Sequence, residues 1–276
     1  MSPQFKRQCL PGAARLQAIR DQLARTSSLS ISEISGKLGV SEMTIRRDLA
    51  TLEKSSDVRR THGGAVVAER MVFEFSYAVR QRERIKEKQE IAAAARKLVQ
   101  PGQRVILDTG TTTLQLAALL KDCDGVTVIT PSLAVASELQ FCENLTVILL
   151  GGMIHRGSPD LTGPVTEHCL ELLSADWAFQ GAEAIGSDGS IYNVDLQLAQ
   201  VDRKMRAKAA RSCLLADSTK LGQTALVKNG NLKDFDIFIT DRGIYGEHLR
   251  LARKMAGEVI ITQTEEKQIK GQTKQP

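Results

Sequence analysis

Seven short apolar segments constrain this chain more than any other feature. They read RVILD, VTVIT, LTVILLGG, ADWAFQGA, RSCLLAD, FDIFITD and EVIIT, and they fall between residues 104 and 262. Each is rich in β-branched or aromatic residues and too short for a stable helix, and most are followed by a helix-length segment. A strand that is apolar throughout must be covered on both faces. The alternation therefore predicts βαβ units, that is, an α/β domain with a mostly parallel sheet and helices on either side. With 276 residues, 42% of them hydrophobic, the chain has room for this large domain and a smaller one in front of it.

The front end differs in charge. Residues 1–88 carry 17 lysines and arginines against 10 acidic residues, while the remainder carries 20 against 22. A basic module on a nearly neutral body suits a polyanionic partner. No run approaches the roughly 18 apolar residues of a membrane helix, and MSPQFKRQCLPG lacks the apolar core of a signal peptide. The five cysteines and four histidines are scattered, with no CxxC, HxH or HExxH spacing. That pattern reads as reduced thiols in a cytoplasmic protein, with neither a metal site nor a disulfide framework. No GxSxG or GxxxxGK[ST] motif occurs, so we expect no catalytic residues of those classes and no cofactor.

Local chemistry organises the front end. Leu16, Ile19 and Leu23 recur at helical spacing and predict a first helix. Ser30-Ile31-Ser32-Glu33 is a capping box opening a second, with Ile31, Ile34 and Leu38 on its apolar face and Gly39 as a left-handed stop. Ser41 caps a third helix within VSEMTIRRDLATLE, whose buried stripe is Ile45, Leu49 and Leu52. Two helices across a short glycine turn make a helix-turn-helix.

At about 100° per residue from Ile45, Arg47 falls near 200°, opposite the core, and Arg46 near 100°, on the shoulder. Met43, Thr44, Ala50 and Thr51 flank Arg47, so this face is small apart from its arginine and suits a groove. Ser41, Met43, Thr44 and Arg47 are candidates for base edges or phosphates, and Arg46 for a phosphate clamp. The competing reading of the arginines is a pair of solvated surface charges. Asp57-Val58-Arg59-Arg60, the turn Thr61-His62-Gly63-Gly64 and Ala65-Val66-Val67 predict a basic β-hairpin, the wing of a winged helix. Arg59 and Arg60 would follow the DNA backbone, and His62 either touches DNA or holds the turn.

In the body, LDTGTTTLQLA places Asp108-Thr109-Gly110-Thr111-Thr112-Thr113 between a strand and a helix. Helix N-terminal amides with threonine hydroxyls make an anion cradle, at the strand end where open α/β sheets bind ligands. A threonine-rich turn also caps helices. Asp108 only accepts hydrogen bonds, which suits sugar hydroxyls and repels phosphate. Ser132 offers a hydroxyl or a plain helix cap, and Gly152 a close backbone approach or a simple turn. Asp176, in a buried-looking strand, needs a partner or a ligand. Lys220 pairs with a phosphate or is a solvated charge.

VSEMTIRRDLATLE followed by RRTHGGA resembles the DNA-binding signature of the DeoR/GlpR family of bacterial transcriptional repressors. The resemblance continues through KEKQEIAAAA, LDTGTTTLQLA, TVITPSLAVA, LLGG, ADWAFQGA and ADSTK in the family's order. It implies a winged helix-turn-helix DNA-binding domain joined to an effector-binding and oligomerisation domain; the residue patterns put these at 15–70 and 91–262, with the charged segment 71–90 a linker running into a helix. The second domain would be related to ribose-5-phosphate isomerases and CoA transferases. The tail at 263–276, without apolar periodicity, reads as disordered.

The resemblance further implies a homo-oligomer (a dimer or larger) on a double-stranded DNA operator, released when a phosphorylated sugar effector binds. Asp108, Gly110, Thr111, Thr112, Thr113, Ser132, Gly152, Asp176 and Lys220 would line the effector site. Three positions depart from the family's pattern: Pro131 replaces an asparagine, Asp202 a lysine, and Ser55-Ser56 a glycine before the wing. Two other classes compete with a repressor. One is an isomerase-like enzyme with Asp108 or Asp176 as base, and the other is a DNA-binding protein without a ligand.

Overall fold

The computed structural model describes residues 11–26, 28–54, 58–61, 64–67, 77–155 and 158–262. His62 and the tail at 263–276 lie outside them. The chain divides into two compact units, one of residues 1–82 with 156–158, the other of residues 83–155 with 159–276.

The first unit is built as its capping chemistry dictates. Helix α1 spans Gly12–Thr26, α2 Ile31–Leu38 and α3 Glu42–Lys54. Ser30 caps α2 by accepting from the Glu33 amide, and Gly39 ends it at φ 66°, a left-handed conformation that a Cβ would disfavour. Ile19, Ile31, Ile34, Ile45, Leu49 and Leu52 are buried together, with Leu16, Leu38 and Val40 packed around them. Each fully buried aliphatic side chain contributes about 1.5–3 kcal/mol, which matters in so small a core. Strands β2 (Val58–Thr61) and β3 (Gly64–Val67) pair antiparallel as the expected hairpin, with Arg60 opposite Ala65. A short strand not foreseen, β1 (Ser28–Ser30), adds to the free edge of β3.

In the second unit the seven apolar segments become the seven strands of one sheet. They are β4 (Arg104–Leu107), β5 (Thr127–Thr130), β6 (Thr146–Leu149), β9 (Ala175–Gln180), β12 (Ala209–Leu215), β14 (Ile237–Thr240) and β15 (Glu258–Ile261). The order is β15-β14-β12-β9-β4-β5-β6, and every pairing within it is parallel. Helix α4 (Ile85–Arg96) begins inside the segment read as a linker, and it buries Ile91, Ala92 and Ala95. The sequence reads this segment as a linker running into a helix, and α4 is that helix; the charged Lys88 is buried near its start, its Nζ donating to the Glu83 carbonyl at 2.7 Å.

Two smaller sheets escaped the sequence reading. Strands β7 (Met153–Ile154) and β8 (Leu161–Thr162) form a hairpin beside the sheet edge. Strands β10 (Ala184–Ile185), β11 (Ser190–Asn193) and β13 (Val227–Asn231) form an antiparallel sheet. Their sequences, such as SIYN and VKNGN, are too short and polar to carry an alternating signal.

The topology itself marks a crevice. From β4 the chain proceeds outward through β5 to β6, then returns to place β9 on the other side of β4 and continues to β12, β14 and β15. Neighbouring carboxyl-end loops therefore diverge between β4 and β9, the switch point where open α/β sheets bind ligands.

Candidate functional site

The chain carries two candidate sites, one on each unit. On the first, α3 presents Ser41, Met43, Arg46 and Arg47 to solvent while Ile45, Leu49 and Leu52 face the core. Met43 is 60% exposed on this face. Ser41 caps the helix, accepting from the Thr44 amide at 3.2 Å, and its Oγ lies 2.9 Å from Thr44 Oγ1. Thr44 is only half-buried, so its hydroxyl is fixed by Ser41 at the rim of the exposed face. Arg46 has a loose ion pair with Glu42 at 3.9 Å. Arg59 and Arg60 lie on β2.

Sequence reasoning missed what anchors this face. Asp48, one turn along α3, is 8% exposed and receives both Nε and Nη2 of Arg15, at 2.5 and 3.0 Å. This bidentate pair ties α3 to α1 on the flank of the helix between its core stripe and its exposed face. An acidic residue inside an amphipathic helix gave no sign of it, because its partner lies 33 residues away.

On the second unit, Asp108 follows β4 directly at the switch point. Its carboxylate accepts from the Gly110 amide at 2.8 Å, from the Gly181 amide at 2.5 Å and from the Thr113 hydroxyl. It thus stitches the loop after β4 to the loop after β9. Burial pushes the Asp108 carboxyl up, against the pull of those hydrogen bonds. Helix α5 (Thr111–Leu120) starts at Gly110, which offers no side-chain cap. Thr111, Thr112 and Thr113 are its first residues, whose amides have no acceptor within the helix. Thr113 is fully buried and its hydroxyl also reaches the Gly110 carbonyl at 2.7 Å, so it shapes the loop from within. Lys220 ends the short 3₁₀ turn Ser218–Lys220 after β12 and approaches Glu183 at 4.0 Å.

The other expected residues fall less uniformly. Ser132 is fully buried at the end of β5 and caps α6 (Leu133–Leu139), accepting from the Val135 amide at 3.3 Å. The capping reading accounts for it. Gly152, beyond the edge strand β6, has φ +146°, and a Cβ there would meet Thr166 Oγ1 at 2.0 Å. Its glycine is thus explained by packing.

Asp176 is a correction. It lies near the amino end of β9, at the end of the strands opposite to Asp108, where Arg104 clamps it. The Arg104 backbone amide donates to it at 2.8 Å and the guanidinium at 3.0 Å, holding its carboxyl below the usual range. An apolar strand was taken as buried along its whole length, whereas the amino ends of parallel strands emerge at the rim. The charged partner that Asp176 required is an arginine and not a ligand.

Asp202, where the sequence departs from the family's lysine, and several residues that no motif singled out complete the rim. Asp202, on α8 (Leu196–Ala207), accepts at Oδ2 from Asn193 Nδ2 at 2.8 Å and from Asn229 Nδ2 at 2.9 Å. Gln180, the last residue of β9, donates to the Asp202 carbonyl at 2.7 Å and accepts from Arg206 at 3.0 Å. Burial, with the like charge of Asp108 behind it, pushes the Asp202 carboxyl up to about 7. Arg84, with a left-handed backbone at φ 50°, pairs with Asp217 at 3.3 Å and Asp241 at 3.1 Å, at the carboxyl ends of β12 and β14. Among the described residues no group of histidine, cysteine and carboxylate side chains is arranged to hold a metal, and no helix is long and apolar enough to cross a membrane.

A helix-turn-helix with a β-hairpin, carried with an α/β unit that has a polar crevice, defines a DNA-binding regulator with an attached sensor. Comparison with known proteins agrees. Residues 15–71 match the DeoR-like helix-turn-helix domain, and residues 83–242 match the DeoR C-terminal sensor domain. The chain is 33% identical over 249 residues to the HTH-type transcriptional regulator GlpR of Haloferax volcanii, covering 90% of this chain and 97% of that one. It is 33% identical over 252 residues to the HTH-type transcriptional repressor GlcR of Bacillus subtilis, covering 91% and 97%. The lactose phosphotransferase system repressor of Lactococcus lactis is 33% identical over 238 residues, covering 85% and 93%. A solved D-ribose-5-phosphate isomerase bound to phospho-erythronic acid is far more distant, at 15% identity and a TM-score of 0.38 over 50% of this chain and 54% of that one. The chain belongs to the DeoR family of transcriptional regulators.

Proposed function

We propose that this regulator represses a sugar-related operon and leaves its operator when a phosphorylated sugar enters the crevice at the carboxyl ends of β4, β9 and β12. The observation that carries this reading is the uncapped start of α5 at the switch point, beside the fixed Asp108 carboxylate. The helix amides favour a phosphate, and the acceptor-only carboxylate favours the hydroxylated end of the same molecule. The names of the relatives, a lactose-system repressor among them, support a sugar-linked signal. On the DNA side, Ser41, Met43, Thr44 and Arg47 would meet base edges or phosphates, and Arg46, Arg59, Arg60 and His62 the backbone.

A single small winged helix reads only a short half-site, so we infer a dimer or larger assembly, working in the cytoplasm where the DNA lies. Asp108 is poorly suited to be an enzyme's base, because three donors already hold its oxygens. A thermal-shift screen of sugar phosphates run beside an isomerase assay tests the reading. Stabilisation without turnover is expected. Turnover would support an enzyme, and no stabilisation by any phosphosugar would remove the effector from the account.

A further inference from the structure

The corner around Asp202 is rich in acceptors and lacks a matching donor. Asn193 cannot turn its amide, because its Oδ1 already accepts from the Val194 amide at 2.7 Å. Its NH₂ must therefore face Asp202, and Asp202 Oδ2 must accept. Asn229 donates to the same oxygen. Asn229 is 5% exposed, and its own Oδ1 is buried with no hydrogen-bond partner. Both ends of that amide hang on one carbon, so the orphaned oxygen lies beside the Asp202 carboxylate.

The surrounding charges do not supply the missing donor. Asp108 lies close enough to Asp202 to raise its carboxyl. Arg206 is directed elsewhere: it donates to the Gln180 side chain at 3.0 Å and the Asn229 carbonyl at 2.8 Å, and stacks over the Phe235 ring at 4.8 Å. What remains is the second Asp202 oxygen and the orphaned Asn229 oxygen. A phosphate or carboxylate would be repelled by this set. A hydroxyl brings one donor and no charge, whereas an ammonium brings three donors and a positive charge.

We propose that this corner receives the ammonium group of an amino sugar phosphate, making Asp202 and Asn229 the specificity-determining residues of the sensor. The proposal rests on the phosphosugar reading above and names the class of sugar. Asp202 supplies the charge in its ionised form, which a neighbouring ammonium favours, Asn229 supplies the orphaned acceptor, and Asn193 holds Asp202 in place. Acetylating the amine would remove both its charge and two of its donors.

The test is isothermal titration of the full chain with matched pairs: glucosamine 6-phosphate against glucose 6-phosphate, and galactosamine 6-phosphate against galactose 6-phosphate, with the N-acetylated forms added. In at least one pair the amine should bind tighter by about tenfold or more, and its N-acetyl form should lose that advantage. In Asp202→Asn the ratio of amine to hydroxyl-sugar affinity should fall below about threefold, whatever the change in either affinity alone; a ratio kept at about tenfold would overturn the role of Asp202. Equal or tighter binding of the hydroxyl members overturns the proposal and leaves the phosphosugar reading standing. Binding of no member overturns both. If Asp202→Asn does not fold, the wild-type ratios decide alone.

Discussion

The reading surface of α3 and the crevice at the sheet's switch point use their polar groups in opposite ways. On α3 the functional side chains are exposed and weakly engaged: Arg46 has one loose pair at 3.9 Å, and Arg47 projects away from the buried stripe. What holds the helix is elsewhere, in Ile45, Leu49, Leu52 and the Asp48–Arg15 pair. In the crevice the residues proposed to meet the effector also shape the loops; Asp108 alone bonds three donors from two loops. Function and stability are thus separable on the DNA side and fused on the sensor side. A surface that reads a long external polymer can leave its side chains loose until contact, whereas a small-molecule site must hold its geometry beforehand.

The largest effect should come from the fused region. Asp108→Ala strands the Gly110 and Gly181 amides, leaving the Thr113 hydroxyl only the Gly110 carbonyl, and should cost about 3 kcal/mol of unfolding free energy in urea titrations. A loss under about 0.5 kcal/mol would show that the carboxylate is not structural. Next, Arg15→Ala leaves Asp48 without its partner. It should destabilise the first unit by about 2 kcal/mol, the pair's partial exposure reducing the effect of a fully buried one.

Arg47→Ala should leave stability within about 0.5 kcal/mol yet weaken operator binding by about 1–3 kcal/mol if it reads a base. Large destabilisation by this change would erase the contrast between the two regions. Arg46→Ala should weaken operator and random DNA alike and reduce the salt slope by about one unit, as seen by gel shift at two salt concentrations.

The smallest effect is a pH dependence. The folded Asp202 carboxyl titrates near 7, well above an unfolded aspartate, so the folded state holds the extra proton between about pH 4 and 7. Its favourable contribution is complete below that window and lost as pH rises through 7. Relative to wild type, Asp202→Asn should therefore gain about 1 kcal/mol between pH 5 and pH 8, a figure discounted for the residue's partial exposure. An unchanged difference across that range would place the Asp202 titration elsewhere.

The strands were legible because parallel strands buried on both faces must be apolar throughout, and each of the seven segments became one strand. The helix-turn-helix was legible because Ser30 and Gly39 use capping chemistry that is local in sequence. The loop at Asp108–Thr113 could be placed from strand-then-helix order alone. What could not be read is chemistry assembled across the fold. Asp202 meets Asn193 and Asn229 only after β11 and β13 pair, and those strands are too short and polar to announce themselves. Asp176 was misplaced for the converse reason: strand periodicity says which residues are apolar but not which end of the sheet is open.

The most direct test of the account is effector release compared between wild type and a Thr111→Val, Thr112→Val double variant. Both would be followed by fluorescence anisotropy of a labelled operator during titration with the stabilising phosphosugar. The two proteins should bind the operator with similar affinity. Wild type should release it, and the variant should need a concentration higher by about tenfold or more, since it lacks two hydroxyl donors at the start of α5. Release at the same concentration in both would contradict the account, because the phosphate would then be held somewhere other than this helix.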